Sequence, residues 1–585
     1  MSGTPAASIA DLLRGYRAST LDPEEVVGAA YERAVAAVQP AWITLVPRED
    51  VRAALERLRR MPADLPLYGI PFAIKDNIDL AGVPTTVAHR RTAASIRSAF
   101  VVERLLAAGA IPIGKTNLDQ FATGLTGTRT PFGACSSVYD GRTISGGSSS
   151  GSAVVVADGT VPFALATDTA GSGRVPAALN GVVGLKPTRG LLSSSGVVPA
   201  CRSLDCVSII ARTVADAELV ASVATAFDAT DPYSRRRTPE QAAPTSPVIG
   251  VPEPGTLNML DAPARAAWNA ALEHARTIGW QLVPVALEPF LEAGELLYSG
   301  PWVAERHLAL RRQLQGDDPV DAAVREVVER GSAYSAGDVF AAMHRLEELR
   351  RAVEHSLDEL DALLLPTAPT TFTHAEIAED PIGRNAHLGV FTMSTNLLDM
   401  AAIAVPAGMR SDALPFGVQL LAQRGSDRRL AELGATWTGS VLATVTQPAD
   451  ATTVAVCGAH LSGEPLNHQL VGLGAQLRET TLTGAEYRLY ALPGTTPPKP
   501  GLVRTAGDAG EGIEVELWDL DPHALGSLLA TVPAPLAIGT VVLADGRAVK
   551  GFLCETTAVT DAVDITAFGG WRAYLASGLT TPVAP

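Results

Sequence analysis

Hydroxyl side chains dominate two neighbouring stretches of this 585-residue chain. Residues 145–153 read Ser-Gly-Gly-Ser-Ser-Ser-Gly-Ser-Ala, and residues 167–174 read Thr-Asp-Thr-Ala-Gly-Ser-Gly-Arg. A Gly/Ser run is often a flexible tether. This one leads directly into the apolar residues 153–157 and 161–166, which a tether has no reason to do. We therefore predict a backbone that passes close to a ligand, with hydroxyl groups aimed at it.

A serine hydroxyl becomes a nucleophile when a base takes its proton, and histidine is the usual base. None of the ten histidines lies between residues 90 and 273, although a Ser-His-Asp triad with a distant histidine stays open. The alternative is a lysine kept neutral by burial. Lys75 follows the apolar run 67–74, which predicts a lysine at the tip of a buried strand. The competing interpretation is a surface Lys75 paired with Asp76 or Asp79.

Lysine is rare in this chain, since only five of its 46 basic residues are lysines. Arginine keeps its proton in proteins, whereas a buried lysine can lose it. Each remaining lysine is therefore a candidate for chemistry that arginine cannot perform. These residues are Lys75, Lys115, Lys186, Lys499 and Lys550.

The elements around these stretches predict an α/β fold. Helical spacing over residues 100–108 ends at Gly109, and a short strand follows at 110–114. Further helices are predicted after Asp22, over 213–226, and after Asp261, where Asp22 and Asp261 are N-caps. Strand, helix and strand in succession are typical of an α/β sheet. Later apolar segments predict strands of the same core at 363–366, 401–406 and 416–421.

The composition of the sequence changes between Leu442 and Thr453, where Thr, Pro, Ala and Asp replace the helical pattern that precedes them. Beyond it, residues 513–517 alternate as a half-buried strand would, and residues 539–553 predict a hairpin that turns at Asp545-Gly546. We expect one domain over residues 1–445 and a smaller, β-rich domain over residues 452–585.

Composition excludes several classes of function. The net charge of −16 repels phosphate backbones and acidic membrane surfaces, so neither nucleic acid nor a membrane is an expected partner. No apolar stretch approaches the roughly eighteen residues of a transmembrane helix, and the charged N-terminus is unlike a secretion signal. The five cysteines lack metal-site spacing and suit a reducing compartment. We expect a cytoplasmic protein.

The motifs together resemble the amidase signature enzymes. That resemblance implies a mixed central sheet covered by helices on both faces. It also implies Ser172 as the nucleophile, Ser148 as a bridging hydroxyl after a cis peptide from Gly147, and Lys75 as the base. The matching motifs span nearly all of residues 1–440: 74–77 (Ile-Lys-Asp-Asn), 146–153, 167–176, 184–188 (Gly-Leu-Lys-Pro-Thr), 203–205 (Ser-Leu-Asp) and 414–419 (Leu-Pro-Phe-Gly-Val-Gln).

These assignments form a coherent reaction. A neutral Lys75 would draw a proton from Ser172 through Ser148, Ser172 would attack an amide carbonyl, and the reverse relay would protonate departing ammonia. The expected oxyanion donors are the backbone N–H groups of Thr169, Ala170, Gly171 and Ser172. Asp168 and Arg174 are expected to brace this loop rather than react.

Within the family, the chain is most similar to the allophanate hydrolases. The similar segments include residues 198–206 and 300–306 and, in the second domain, 457–463, 498–504, 550–555 and 568–572. Allophanate is a carboxylated urea, and the resemblance implies that Arg306, assisted by Tyr298, binds its carboxylate. A guanidinium matches a carboxylate in a fork geometry. Read from the sequence alone, Arg306 is instead a helix-surface cation paired with Glu305 or another acid.

The second domain resembles a γ-glutamyl-cyclotransferase-like fold, in which His460 matches a base credited with decarboxylating the first product. A histidine at a strand end is as often structural, and the domain could instead organise assembly. The resemblance further implies a homodimer, a biotin-dependent urea carboxylase as supplier of substrate, and no metal or other cofactor. Two rival functions remain: an amidase acting on another small amide such as malonamate, and an inactive amidase scaffold that serves interaction.

Overall fold

The computed structural model describes residues 7–89, 93–236, 243–316, 318–442, 452–473, 475–507, 510–520 and 522–578. They divide into two compact units. The first contains the described residues of 7–235 and 243–442, and the second contains those of 452–578 together with Arg236.

A mixed sheet forms the centre of the first unit and, over its described residues, has eleven strands. They are β1 (Trp42–Leu45), β2 (Pro71–Lys75), β3 (Ile111–Thr116), β4 (Phe163–Thr167), β5 (Val183–Lys186), β6 (Val207–Ala211), β7 (Val248–Pro252), β8 (Gln281–Val285), β9 (Ala362–Pro366), β10 (Met400–Met409) and β11 (Pro415–Gln423). Their spatial order is β1-β3-β2-β4-β6-β5-β10-β11-β9-β7-β8. The predicted mixed α/β architecture is confirmed.

Helices connect these strands. In chain order they are α1 (Ile9–Arg17), α2 (Pro23–Val35), α3 (Arg48–Leu58), α4 (Phe100–Ala107), α5 (Ser150–Ala157), α6 (Arg174–Leu179), α7 (Val214–Ala224), α8 (Ala262–Thr277), α9 (Glu288–Tyr298), α10 (Val303–Gln315), α11 (Ala322–Glu329), α12 (Ala336–Leu357), α13 (His374–Glu379), α14 (Gly383–Leu388), α15 (Ser394–Leu397) and α16 (Asp427–Thr438). Short 3₁₀ turns lie at Gln120–Ala122 and Arg330–Ala333.

The predicted helix starts are confirmed by their caps. The Asp22 side chain accepts from the N–H of Glu24, Thr213 accepts from Asp216, and Asp261 accepts from Ala264. Each cap satisfies a backbone donor that the first turn of a helix leaves free.

The middle of the large sheet is covered on both faces. All residues of β2 to β6 and of β9 are buried, and successive side chains of a strand point to opposite faces. Helix α5 packs against β2, β3 and β4, while α6 packs against β5, β10 and β11. The polar loops at the ends of these strands are therefore held by a rigid core.

The second unit is β-rich, as predicted. Its described residues form a five-stranded sheet and a three-stranded sheet. The elements are β12 (Thr452–Val456), α17 (Asn467–Gly472), β13 (Gln476–Leu482), β14 (Tyr487–Ala491), β15 (Pro500–Arg504), β16 (Glu514–Leu520), α18 (Pro522–Leu529), β17 (Leu536–Val542), β18 (Ala548–Cys554), β19 (Val563–Asp564) and α19 (Trp571–Ala576), with short 3₁₀ turns at Thr556–Val559 and Thr566–Phe568. The larger sheet has the order β13-β16-β12-β18-β17 and the smaller β15-β14-β19.

The hairpin predicted around Asp545-Gly546 is confirmed, since β17 and β18 pair in antiparallel register from Leu536↔Cys554 to Val542↔Ala548. The prediction of a half-buried strand at 513–517 is wrong. Strand β16 lies between two other strands and is buried on both faces from Val515 onward. Its alternating acid is satisfied internally, because Glu516 accepts from the N–H of Ser462 (2.8 Å) and from Arg572 (2.6 Å).

No helix among the described residues is long and apolar enough to cross a bilayer. All five cysteines are buried and unpaired.

Candidate active site

The candidate site lies where three neighbouring parallel strands end. Strand β2 pairs in parallel with both β3 and β4, and Lys75 at the end of β2 lies opposite Thr116 at the end of β3. Thr167 ends β4. Carboxyl ends of parallel strands share one edge of a sheet, which is the usual place for a site in α/β proteins.

Lys75 is fully buried at this edge, as its apolar run predicts. Its Nζ lies 2.8 Å from Ser148 Oγ and 2.8 Å from Thr167 Oγ1. Burial disfavours the ammonium form and lowers the pKa of Lys75 to about 7, although the charges of Asp119, Asp168 and Asp205 oppose that shift. A large fraction of Lys75 is therefore neutral near pH 7 and can accept a proton.

The surface interpretation of Lys75 is wrong. Asp76 pairs with a different lysine, since Lys115 Nζ lies 2.9 Å from Asp76 Oδ1 and both side chains are fully buried. Asp79 accepts from the hydroxyls of Thr85 and Ser95.

The Gly/Ser run is a buried loop that leads into helix α5, so the tether interpretation is excluded. Ser148 and its neighbours Ser149, Ser150 and Ser152 are all fully buried. The peptide between Gly147 and Ser148 is cis, as the resemblance implies. A side chain at Gly147 would not fit, because its Cβ would lie 2.1 Å from the Oδ2 of Asp119.

The other serines of this run make local contacts. Ser149 Oγ donates to the carbonyl of Thr167 (3.2 Å), and Ser150 Oγ donates to that of Asn117 (3.3 Å). Ser152 Oγ donates to the carbonyl of Leu165 (3.1 Å). These three hydroxyls fix the loop against the strand ends, which leaves Ser148 as the one bonded to Lys75.

Ser172 is buried next to this pair but is not hydrogen-bonded to it. Its Oγ donates to the carbonyl oxygen of Gly124 at 3.4 Å, and its own carbonyl accepts from the N–H of Ser149 at 3.1 Å. Among the described residues, Ser172 Oγ makes no hydrogen bond to Ser148 Oγ. Lys75 and Ser148 are therefore hydrogen-bonded to each other. Ser172 is linked to them only through its carbonyl, which accepts from the N–H of Ser149, the neighbour of Ser148.

The backbone N–H groups of residues 169–172 are not equivalent. That of Gly171 donates to Asp168 Oδ1 at 2.7 Å. Within the described part of the chain, the N–H groups of Thr169, Ala170 and Ser172 donate to no protein acceptor. Gly171 instead allows the loop to adopt its conformation. Its φ of +119° suits glycine, and a Cβ there would clash with Thr392 Oγ1.

Asp168 and Arg174 brace this loop, as expected from the sequence. Arg174 Nε lies 2.8 Å from Asp168 Oδ2, with both side chains fully buried. Arg174 also donates to Thr395 Oγ1 (2.9 Å) and Gln419 Oε1 (2.7 Å), which ties the loop to α15 and β11. A fully bonded buried pair of this kind holds a backbone in place rather than reacting.

Arg306 lies fully buried on helix α10. Its Nη1 donates to Thr123 Oγ1 (2.9 Å) and its Nη2 to Tyr298 Oη (3.2 Å), and its guanidinium carbon lies 4.9 Å from the centre of the Tyr298 ring. Among the described residues its Nε has no partner, and no carboxylate forms an ion pair with it. Thr123 precedes Gly124, the residue whose carbonyl holds Ser172.

The alternative in which Arg306 pairs with Glu305 on the helix surface is wrong. Glu305 turns to a different loop, where it accepts from the N–H of Ser203 (2.7 Å), the hydroxyl of Ser203 (2.5 Å) and the thiol of Cys201 (3.1 Å). The same loop meets the site through Asp205, which accepts from Thr169 Oγ1 at 2.6 Å. The adjacent residues Glu305 and Arg306 of α10 thus contact different parts of the site. Glu305 holds the loop at 201–205, and Arg306 donates to Thr123.

Sequence reasoning missed four residues that shape this site: Asp119, Thr123, Gly124 and Thr167. The polar run that follows the buried strand β3 was a usable signal for Asp119, because β3 and β2 end at the same edge. No sequence signal identified Thr123 and Gly124. Their roles arise from contacts with Arg306 and Ser172, which are far away in the chain.

His460 lies in the second unit, half-buried. Its Nε2 is 2.9 Å from Gln469 Oε1, and its ring stacks on Phe552 with centroids 4.9 Å apart. Burial lowers the pKa of His460, which is therefore a neutral imidazole at pH 7. Over the described residues, no group of three or more His, Cys, Asp or Glu side chains is arranged to hold a metal ion.

Comparison with known families matches residues 25–431 to the family described as Amidase. The chain belongs to the amidase family. Residues 452–576 of this amidase match a second family, described as the Allophanate hydrolase C-terminal domain.

Two relatives match nearly the whole chain, including both of these regions. Urea amidolyase of Saccharomyces cerevisiae is 40% identical over 574 residues, which cover 92% of this chain and 31% of the yeast protein. The amidase thus spans about a third of that relative. The solved structure of Kluyveromyces lactis allophanate hydrolase is 38% identical, with a TM-score of 0.73, and covers 98% of this chain and 99% of that chain.

A more distant relative matches a smaller share of the chain. One subunit of the glutamyl-tRNA(Gln) amidotransferase of Symbiobacterium thermophilum is 34% identical over 468 residues, covering 73% of the amidase and 95% of that subunit. The second unit therefore separates this chain from that branch of the family.

Proposed function

We propose that this amidase hydrolyses allophanate, with Ser172 as nucleophile, Ser148 as relay and Lys75 as base. The observation that carries the substrate is Arg306, a fully buried guanidinium that forms no ion pair with any carboxylate of the described residues; Asp205 and Glu305 act on it only through space. A buried charge without a partner is costly. A carboxylated substrate would supply an ion-pair partner. The hydrogen bonds from Arg306 to Thr123 and from Ser172 to the adjacent Gly124 support a carboxylate site close to the proposed nucleophile.

The first step moves one proton through two hydroxyls. The Ser172 hydroxyl gives its proton to Ser148 Oγ as Ser148 gives its own to Lys75 Nζ, and Ser172 Oγ bonds to the amide carbon of the substrate. This requires Ser172 to exchange its Gly124 acceptor for Ser148, a rearrangement of one side chain. Catalytic hydrogen bonds commonly tighten in this way when substrate binds.

Collapse of the tetrahedral intermediate breaks the carbon–nitrogen bond. Lys75 returns the proton through Ser148 to the departing nitrogen, which leaves as ammonia. Water then releases the acyl group from Ser172 by the same relay. The products are ammonia and a carboxylated carbamate, which goes on to carbon dioxide and a second ammonia.

The oxyanion of the intermediate needs preorganised donors. The N–H groups of Thr169, Ala170 and Ser172 are available, whereas that of Gly171 is held by Asp168. We therefore propose Thr169, Ala170 and Ser172 as the oxyanion donors. Gly171 is proposed only to allow the backbone conformation of the loop. The Asp168–Arg174 pair keeps the loop in the conformation that presents the other three.

Tyr298 and Arg306 would bind the substrate carboxylate together. The free Nε of Arg306 and its fork of donors suit the two oxygens of a carboxylate. The ring of Tyr298 lies against the guanidinium of Arg306, and its hydroxyl oxygen accepts a hydrogen bond from Nη2. Tyr298 therefore assists carboxylate binding by orienting Arg306.

The second unit is proposed to act on the carboxylated carbamate. We assign the two functions to domains at residues 1–445 and 452–585. Decarboxylation breaks a nitrogen–carbon bond, releases carbon dioxide and consumes one proton at nitrogen. The neutral imidazole of His460 can accept that proton from water and pass it on to the nitrogen as the imidazolium. The match of residues 452–576 to the C-terminal domain of allophanate hydrolases supports this assignment.

The proposal extends to the surroundings of the enzyme. We expect a cytoplasmic homodimer that receives allophanate from a biotin-dependent urea carboxylase. The link to urea is supported by the yeast urea amidolyase, of which this chain matches about a third; the homodimer and the cytoplasmic location are expectations from the sequence.

Ammonia release from a panel of amides tests the proposal. The panel is allophanate, malonamate, biuret and simple aliphatic amides, each at concentrations that give kcat/KM. We expect allophanate to exceed biuret and the simple aliphatic amides by at least about a hundredfold, since they lack the carboxylate that Arg306 is proposed to bind. Malonamate, which has the carboxylate, tests the rival substrate. Efficient turnover of ordinary amides with allophanate ignored would refute the substrate.

A further inference from the structure

A cavity of about 150 Å³ is lined by residues of the second unit. Among the residues that line it are His460, Gln469, Lys499 and Phe552. They come from the loop after β12, helix α17, the segment before β15, and strand β18. A cavity of this size accepts a molecule of only a few heavy atoms.

The charges that line the cavity have one sign. Lys499 contributes the cation, and no Asp or Glu is among the described lining residues. Cys457 also lines the cavity, and burial raises the pKa of its thiol to about 12, which keeps it uncharged. At neutral pH the lining therefore carries a net positive charge, which selects an anion.

Lys499 is anchored by its backbone while its ammonium is uncommitted. Its N–H donates to Thr495 Oγ1 (2.9 Å) and its carbonyl accepts from the N–H of Leu492 (3.1 Å). In the described part of the chain, its Nζ makes no hydrogen bond or ion pair. Lys499 and His460 line the same cavity. Burial first, and then the positive charge of Lys499, lower the pKa of His460.

The hydrogen bond of His460 fixes its tautomer. Gln469 Oε1 accepts from Nε2, so Nε2 carries the proton and Nδ1 carries the lone pair of the neutral ring. The lining of the cavity thus includes one proton acceptor, His460, and one cation, the ammonium group of Lys499.

We propose that Lys499 is the carboxylate-binding residue of this cavity and that its ligand is a small dicarboxylate of the size of malonate, held beside His460. This deepens the proposed function and rests on it in one respect: the carboxylated carbamate is malonate with its central CH₂ replaced by NH. Lysine suits this task as a compact point charge, whereas the planar guanidinium of arginine is larger.

Binding of malonate to the full-length protein tests this without any turnover. The background variant Arg306→Met silences the carboxylate site of the first unit, and binding is followed by calorimetry. We expect Lys499→Met to weaken malonate at least about tenfold. The matched control is Lys550→Met, which removes the same charge from a lysine of β18 whose Nζ donates to Thr540 Oγ1.

A second readout needs no substitution at Lys499. With ¹⁵N-labelled imidazoles in the Arg306→Met protein, malonate should raise the pKa of His460, because a bound anion stabilises the imidazolium. Neutral malonamide should leave that pKa unchanged. An unchanged His460 pKa with malonate, or equal loss of affinity in Lys499→Met and Lys550→Met, would overturn the proposal. Failure of allophanate turnover would instead count against the proposed function alone.

Discussion

The pH dependence of the reaction follows from the burial of Lys75. Only the neutral amine can accept a proton, so kcat/KM should follow the neutral fraction. With a pKa of about 7, roughly a tenth of Lys75 is neutral at pH 6 and roughly nine tenths at pH 8. We therefore expect kcat/KM to rise about tenfold from pH 6 to pH 8 and then to level off.

The assay is the initial rate of ammonia release at substrate concentrations well below KM, between pH 6 and pH 9 at constant ionic strength. A lysine with an ordinary pKa gives a different curve. Its neutral fraction would rise about a hundredfold from pH 6 to pH 8 and continue to rise beyond pH 9. Such a curve, or a flat one, would refute the assignment of Lys75 as the base.

A second buried group beside the site titrates in the same range. Burial raises the pKa of Asp205 to about 6, and Asp205 holds the hydroxyl of Thr169. The Asp205→Asn variant separates the two groups. If Lys75 is responsible, this variant keeps the rise but shifts it to lower pH, because the charge of Asp205 no longer raises the pKa of Lys75. Loss of the rise would assign it to Asp205.

Three substitutions test the rest of the site. Arg306→Met should cost about 2–5 kcal/mol in kcat/KM for allophanate, roughly 30-fold to several thousand-fold, while any turnover of neutral biuret is unaffected. Glu305→Gln should raise KM about tenfold with little change in kcat, because it loosens the loop that positions the site without touching substrate. Gly171→Ala should abolish activity and lower the thermal midpoint through its clash with Thr392; Gly279→Ala, at a similarly positive φ with no atom within 4 Å, is the matched control and should stay active.

The framework of the site could be predicted because local sequence dictates it. A mostly apolar run that ends in Lys75 forms a buried strand tip wherever it occurs, since its side chains must be covered on both faces. Helix caps at Asp22 and Asp261 follow from the same local chemistry. The Gly/Ser run was recognisable because it leads into core residues, and its serines are indeed buried.

The fine arrangement could not be predicted because it depends on residues far apart in the chain. Ser172 meets Gly124 rather than Ser148, and the N–H of Gly171 is already used by Asp168. Both facts are set by backbone dihedral angles and tertiary neighbours. The same holds for Glu516, whose alternation indicated a solvent-facing side chain until Arg572 and Ser462 provided buried partners.

The most direct test of the account is ammonia release from allophanate by three purified proteins: the wild type, Ser172→Ala and Ser356→Ala. Ser356 lies on α12, where its hydroxyl donates only to the carbonyl of Ala352 (2.9 Å), so this variant controls for the loss of a serine. We predict that Ser172→Ala loses at least about 10⁴-fold in kcat/KM while Ser356→Ala matches the wild type. Ammonia release by Ser172→Ala at the wild-type rate would contradict the account.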